Sequence, residues 1–142
     1  MSRSLDPAAA LDWAFARPRT AKLATTAADG SPRVAPVWVA RDGERILFNT
    51  GETTAKGRAL ARDPRVAICF DDEAPPFGFV IVRGTAALVT DLDEVARWAG
   101  VIGGRYMGED RAEEFGARNG VPGELLVVVT PTRIIGELAV SD

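Results

Sequence analysis

Histidine is absent from this chain, and cysteine and tyrosine occur once each. Without histidine there is no Ser-His-Asp or Cys-His catalysis and no histidine-built metal site. A single cysteine, Cys69, excludes an internal disulfide. It sits in the apolar run Val66-Ala-Ile-Cys-Phe70 and reads as a small buried hydrophobe. No stretch reaches the roughly 20 apolar residues that cross a bilayer. Met1-Ser-Arg-Ser-Leu-Asp6 also has no apolar signal-peptide core. The expectation is a cytoplasmic protein with no membrane partner. A positive excess is lacking too. The net charge is −3, which argues against a nucleic-acid partner while leaving room for a local basic pocket.

What is present suits one domain covering residues 1–142, with 46% hydrophobic and 26% charged residues. A chain of this length buries a core without covalent staples. Asp6 and Pro7 start a helix that runs to Phe15, as N-cap and first helical residue. Ala21–Thr26, Arg33–Val39 and Arg45–Thr50 read as strands separated by the turn signals Asp29-Gly30 and Asp42-Gly43, an antiparallel meander. Thr53 or Thr54 caps a short helix, Ala55–Arg62, which Asp63-Pro64 stops. Arg65–Phe70 and Phe79–Thr90 are the next strands, with a bend or bulge at Gly84. Leu92–Arg105 and Asp110–Ala117 are helical. Leu125–Thr130 is a sixth strand, with Ile134–Val140 able to form a short last one. Strands with short helices between them predict an antiparallel barrel with helices outside it.

Chemistry concentrates between Asp29 and Gly84. Thr50, Thr53, Thr54, Lys56 and Arg58 gather where a strand ends and a helix begins. Hydroxyls, two cations and free helix N–H groups suit a phosphate. Lys56 is a mobile point charge and Arg58 a planar fork. By residue type alone, the same stretch is also a capped, solvated helix start. The acidic run Asp71-Asp72-Glu73 reads as a solvated loop and not as a metal site, since three adjacent carboxylates do not converge on one ion unaided.

Five stretches, in order, resemble the pyridoxamine 5′-phosphate oxidase-like superfamily. They are Asp29-Gly-Ser-Pro-Arg-Val-Ala-Pro-Val-Trp38, Phe48-Asn-Thr50, Thr54-Ala-Lys-Gly-Arg-Ala-Leu60, Asp63-Pro-Arg-Val-Ala67 and Val82-Arg-Gly-Thr-Ala86. The resemblance covers residues 12 to 90 well and the C-terminal third loosely. It is greatest to an actinobacterial branch of F-420-dependent oxidoreductases. It implies a mainly β (α+β) fold, an antiparallel six-stranded split β-barrel with peripheral helices, working as a homodimer.

The resemblance also implies a cofactor site. In pyridoxamine phosphate oxidases a strand-end threonine and an Arg-Lys pair hold the phosphate of flavin mononucleotide (FMN). Thr50 and Lys56 match, but Ala55 stands where the arginine would be. That loss of a bidentate clamp tilts the expectation from FMN toward the deazaflavin coenzyme F-420. Arg58, one turn beyond Thr54, partly compensates. Pro36, Val37 and Trp38 would line the ring, with Trp38 either stacking on a ligand or filling the core. Asn49, Thr50, Thr54, Lys56, Arg58 and Phe79 complete the expected cofactor-binding set, Phe79 lying on a strand that relatives supply from the second subunit.

The resulting expectation is an F-420-dependent reductase that passes a hydride from reduced coenzyme to a conjugated small-molecule acceptor. Its alternatives are an FMN-binding oxidoreductase of the same fold and a non-catalytic flavin or F-420 carrier or sensor. No residue is singled out as catalytic. Tyr106 and Arg105 are candidate proton donors with nothing in the sequence to choose between them.

Overall fold

The computed structural model describes residues 1–142. It is mainly β, with an antiparallel eight-stranded sheet and four helices. The strands are β1 (Arg3–Leu5), β2 (Ala21–Thr26), β3 (Pro32–Val37), β4 (Ala40–Asp42), β5 (Arg45–Gly51), β6 (Arg65–Asp71), β7 (Phe79–Val89) and β8 (Glu124–Leu138). The helices are α1 (Pro7–Ala14), α2 (Ala55–Arg62), α3 (Leu92–Met107) and α4 (Ala112–Asn119). The sheet order is β3-β2-β6-β7-β8-β5-β4, with β1 paired to the end of β8.

Strand alternation separates two hydrophobic layers. Leu23 of β2, Ile46 and Phe48 of β5, Ile68 and Phe70 of β6, Val80 and Val82 of β7, and Val127 and Val129 of β8 meet in one buried cluster. Residues from non-adjacent strands share this interior because the sheet curls around it, as in a split barrel. Ala10, Leu11 and Ala14 of α1 and Leu60 of α2 join the same cluster. On the other face of β5 and β8, Leu47, Leu126 and Val128 pack on Val95 of α3. At about 1.5–3 kcal/mol for each large side chain withdrawn from water, this second cluster anchors α3 to the sheet.

Beyond one-residue shifts at strand ends, the strands differ from the sequence expectation in three places, each for a local reason, and number eight rather than the expected six. The second expected strand, Arg33–Val39, stops at Val37 as β3, and an additional strand, β4, follows after the bend at Trp38 and Val39. There the Val39 N–H donates to the Tyr106 hydroxyl (3.2 Å). The expected breaks around Pro131 are absent, so β8 runs through as one strand. Register against β7 passes from Thr85↔Thr130 and Gly84↔Pro131 to Arg83↔Arg133, leaving Thr132 as the extra residue of a bulge. A bulge accommodates the residue that has no N–H. The terminal strand β1, unexpected from its sequence, is held by pairing with β8.

The α2 bounds follow from its caps. The Thr54 side chain accepts from the Gly57 N–H (3.0 Å), and extended Asp63 ends the helix before Pro64. No helix is long and apolar enough to cross a membrane.

Candidate functional site

A cleft of about 610 Å³ opens between the β3–β4 bend, the end of β5, the start of α2, and the α3–α4 pair. Pro36, Val37 and Trp38 line one side; Asn49 and Lys56 line the floor. Ala99, Ile102 and Met107 of α3, and Phe115, Arg118 and Asn119 of α4, form the opposite wall with Arg111; Thr20 and Glu124 complete it.

The stretch Phe48–Lys56 therefore does not meet the cleft as one surface. Alternation along β5 sends neighbouring side chains to opposite faces. Phe48 and Thr50 are buried on the barrel side, whereas Asn49 is half-buried and lines the cleft. Thr50 instead meets Thr54, with 2.8 Å between their hydroxyl oxygens. The Thr54 hydroxyl donates to the Gly51 carbonyl (2.8 Å). It has a single proton, so the Thr50 hydroxyl is the donor in the Thr50–Thr54 bond. Both threonines are thereby engaged in closing α2.

Gly57 makes that closure possible. A side chain on it would collide with the Gly51 carbonyl oxygen and come within 3.2 Å of the Glu52 Cα. The first turn of α2 thus lies directly on the end of β5, with Lys56 projecting to the cleft. Lys56 is half-buried and forms no salt bridge, leaving its charge available.

Arg58 and Phe79 lie apart from the cleft. The Arg58 guanidinium turns back to donate twice to the Thr53 carbonyl (2.9 and 2.6 Å). It lines a separate surface pocket with Arg33 and Arg62. Two positions beyond Lys56 is about 200° around a helix, which explains the opposite heading. Phe79 begins β7 opposite Asp71 and Glu137, outside the cleft lining.

Trp38 occupies the boundary between the two readings offered by its sequence. It is 38% exposed and lines the cleft, yet its indole stacks on the Tyr106 ring. Neither candidate proton donor lines the cleft; both bind backbone groups, although the buried Arg105 Nε has no partner. The Tyr106 hydroxyl donates to the Arg19 carbonyl (2.6 Å) and accepts from Val39. Arg105 donates to the carbonyls of Phe15 and Arg17, each at 2.9 Å.

The acidic run is also occupied. Asp71 pairs with Lys22 at 2.5 Å, and Asp72 pairs with Arg17 and with buried Arg19. Burial pushes the Asp72 carboxyl up, but the hydrogen bond and charge of Arg19, joined by Arg17, outweigh it and leave it below the ordinary value. For Cys69, burial and then the charge of Asp71 raise the thiol pKa against a smaller opposing effect of Lys22. The thiol is correspondingly a poor nucleophile.

Sequence reasoning did not find the helical wall. Met107, Arg111, Phe115, Arg118 and Asn119 lie in the third of the chain where the motif resemblance was loose. The available signal was spacing: Arg111, Phe115, Arg118 and Asn119 recur at one face of a helix.

Residues 8–136 match the family model described as Pyridoxamine 5′-phosphate oxidase. A pyridoxine/pyridoxamine 5′-phosphate oxidase of Alkalilimnicola ehrlichii is 35% identical over 113 residues, covering 68% of this chain and 57% of that protein. One of Kineococcus radiotolerans is 33% identical over 90 residues, covering 63% of this chain and 40% of that protein. The chain thus spans about half the length of these curated relatives. Among solved structures, a conserved hypothetical protein from Mycobacterium tuberculosis superposes with TM-score 0.78 at 25% identity, over 89% of this chain and 81% of that one. An F-420 reductase superposes with TM-score 0.63 at 26% identity, over 87% of this chain and 94% of that one.

Proposed function

This chain belongs to the pyridoxamine 5′-phosphate oxidase family, and on that premise we propose that residues 1–142 form one split-barrel domain that binds FMN and acts as an oxidoreductase. The observation that carries the reading is the unpaired Lys56 at the first turn of α2, on the same cleft as Pro36, Val37 and Trp38. A flavin needs a slot with apolar walls, a few polar groups for the ring edge and a cation for its phosphate. The cleft has Val37, Trp38 and Ile102, the polar groups of Asn49 and Thr20, and Lys56. The family model and both curated relatives favour this reading over the deazaflavin expected from the sequence.

When bound, such a cofactor supplies hydride transfer to or from a conjugated reactant. The chain's own part is binding, orientation and exclusion of water. Lys56 would hold the phosphate, assisted by the N-terminal dipole of α2. Asn49 would meet the ring edge, and Pro36, Val37 and Trp38 would cover the ring. Thr50 and Thr54 act indirectly by fixing the turn that carries Lys56. With Tyr106 and Arg105 engaged elsewhere, solvent is the proton source in this reading.

A second reading, coenzyme F-420, is favoured by Ala55 in place of the phosphate-clamping arginine and by the likeness to an F-420 reductase. The domain is proposed to work as a homodimer. The outer face of β3, β2, β6 and β7 carries Val34, Ala24, Ala67, Cys69 and Ile81, interrupted by Lys22 in register with Cys69 and by Arg83 in register with Ala67. Val34 is 74% exposed there, and a mixed face with an exposed apolar side chain suits a subunit contact.

Titration of the purified chain with FMN and with F-420 tests the assignment. FMN should saturate the protein, and Lys56→Ala should weaken it by about 1–3 kcal/mol, the size of a charge-assisted hydrogen bond. An unchanged dissociation constant in Lys56→Ala would remove Lys56 from the site. F-420 binding far more tightly than FMN would favour the second reading. Binding of either without turnover on quinone and tetrapyrrole acceptors would indicate a carrier or sensor.

A further inference from the structure

Helix α4 has no buried residue, yet its inner row forms a large part of the cleft wall. Its position is set by small residues on α3. Phe115 lies directly over Gly103, where any side chain would overlap its ring, and Gly116 comes close to the Ala96 carbonyl. So placed, Phe115 meets Trp38 edge to face, with 6.4 Å between ring centroids and 64° between planes. Two aromatic rings thus stand together on the cleft lining.

The arginines beside Phe115 differ in charge available to a ligand. The guanidinium of Arg111 is 5.1 Å from the ring centroid and that of Arg118 is 5.8 Å. Arg111 is neutralised by a two-pronged pair with Glu114, at 2.9 and 3.1 Å. Arg118 forms no salt bridge and is exposed. Lys56 is the other unpaired cation on the lining, which also includes the carboxylate of Glu124.

We infer that α4 is the wall that selects the second reactant, with Phe115, steadied by its contact with Trp38, holding a planar conjugated molecule and Arg118 receiving its carboxylate. This rests on the flavin reading of the cleft, in which Lys56 serves the cofactor phosphate and Arg118 remains for the other reactant. Aromatic rings provide contact area at low entropic cost. The planar guanidinium matches a carboxylate through paired N–H donors. A neutral planar molecule gains the first contribution without the second.

Naphthalene-2-carboxylate and naphthalene-2-carboxamide share a ring system and differ in charge. Each is titrated by calorimetry into the full chain, with and without FMN. The carboxylate should bind about tenfold more tightly than the amide, as expected for one hydrogen-bonded charge. Arg118→Ala should abolish that preference and leave FMN affinity within about twofold, because in the flavin reading Lys56 and not Arg118 serves the phosphate. Lys56→Ala should do the reverse. Arg118→Lys should retain part of the preference. Equal binding of the two probes to the wild type, binding of neither, or a preference that survives Arg118→Ala would overturn the inference. A preference that depends on Arg118 in a chain that does not bind FMN would support the α4 wall and discard the cofactor reading.

Discussion

The Tyr106 ring lies flat against the Trp38 indole, with centroids 5.0 Å apart and planes 5° from parallel. Its hydroxyl ties the carbonyl of Arg19 to the amide of Val39. One residue near the end of α3 thereby fixes the entry to β2, the break between β3 and β4, and the aromatic face of the cleft.

Tyr106→Phe keeps the stack and removes both hydrogen bonds. The partly buried Arg19 carbonyl and Val39 amide lose this partner, so stability should fall by about 1–3 kcal/mol. Urea unfolding followed by tryptophan emission measures it. A change below about 0.5 kcal/mol, the size of a neutral surface substitution, would show that the hydroxyl is not needed to hold the bend.

Gly57→Ala distinguishes helix propensity from packing. In an open helix the change gains about 1 kcal/mol. Here the new methyl collides with the Gly51 carbonyl, and overpacking against fixed backbone costs about 1–3 kcal/mol or more. The clash should win, giving net destabilisation together with, in the flavin reading, weaker FMN binding as Lys56 moves. A variant of higher melting temperature would contradict the close approach of α2 to β5.

Asp72→Asn tests the Arg19 anchor through pH. The Asp72 carboxyl is depressed in the folded chain, so its stabilisation is present above the ordinary carboxylate value of about 4 and is lost as pH falls through the lower folded value. Wild-type stability should therefore drop on acidification by more than that of Asp72→Asn, which is already less stable at pH 7. Parallel stability curves for the two proteins between neutral pH and acid would refute the linkage.

Local signals determined much of the framework. Thr54 and Asp63-Pro64 bounded α2, Asp29-Gly30 and Asp42-Gly43 marked reversals, and alternating apolar residues identified the strands. These features are legible because caps, turns and alternation act over a few residues. Family motifs added the association of Lys56 with Pro36, Val37, Trp38 and Asn49, and the structure brings those five to one cleft.

Tertiary structure decided what short-range patterns leave open. Thr50 and Asn49 are neighbours in sequence but point to opposite faces of β5, and only the position of the barrel core tells which face is the cleft. Arg58 heads away from Lys56 because α2 has one orientation on the sheet, set by the contact of Gly57 with Gly51. Trp38 and Phe115 are far apart in the chain, and their meeting depends on α4 settling onto Gly103. Sequence by itself determined which residues carry charge, rings and hydroxyls; long-range packing decided which of them share a site, because that requires distant segments to be buried against one another.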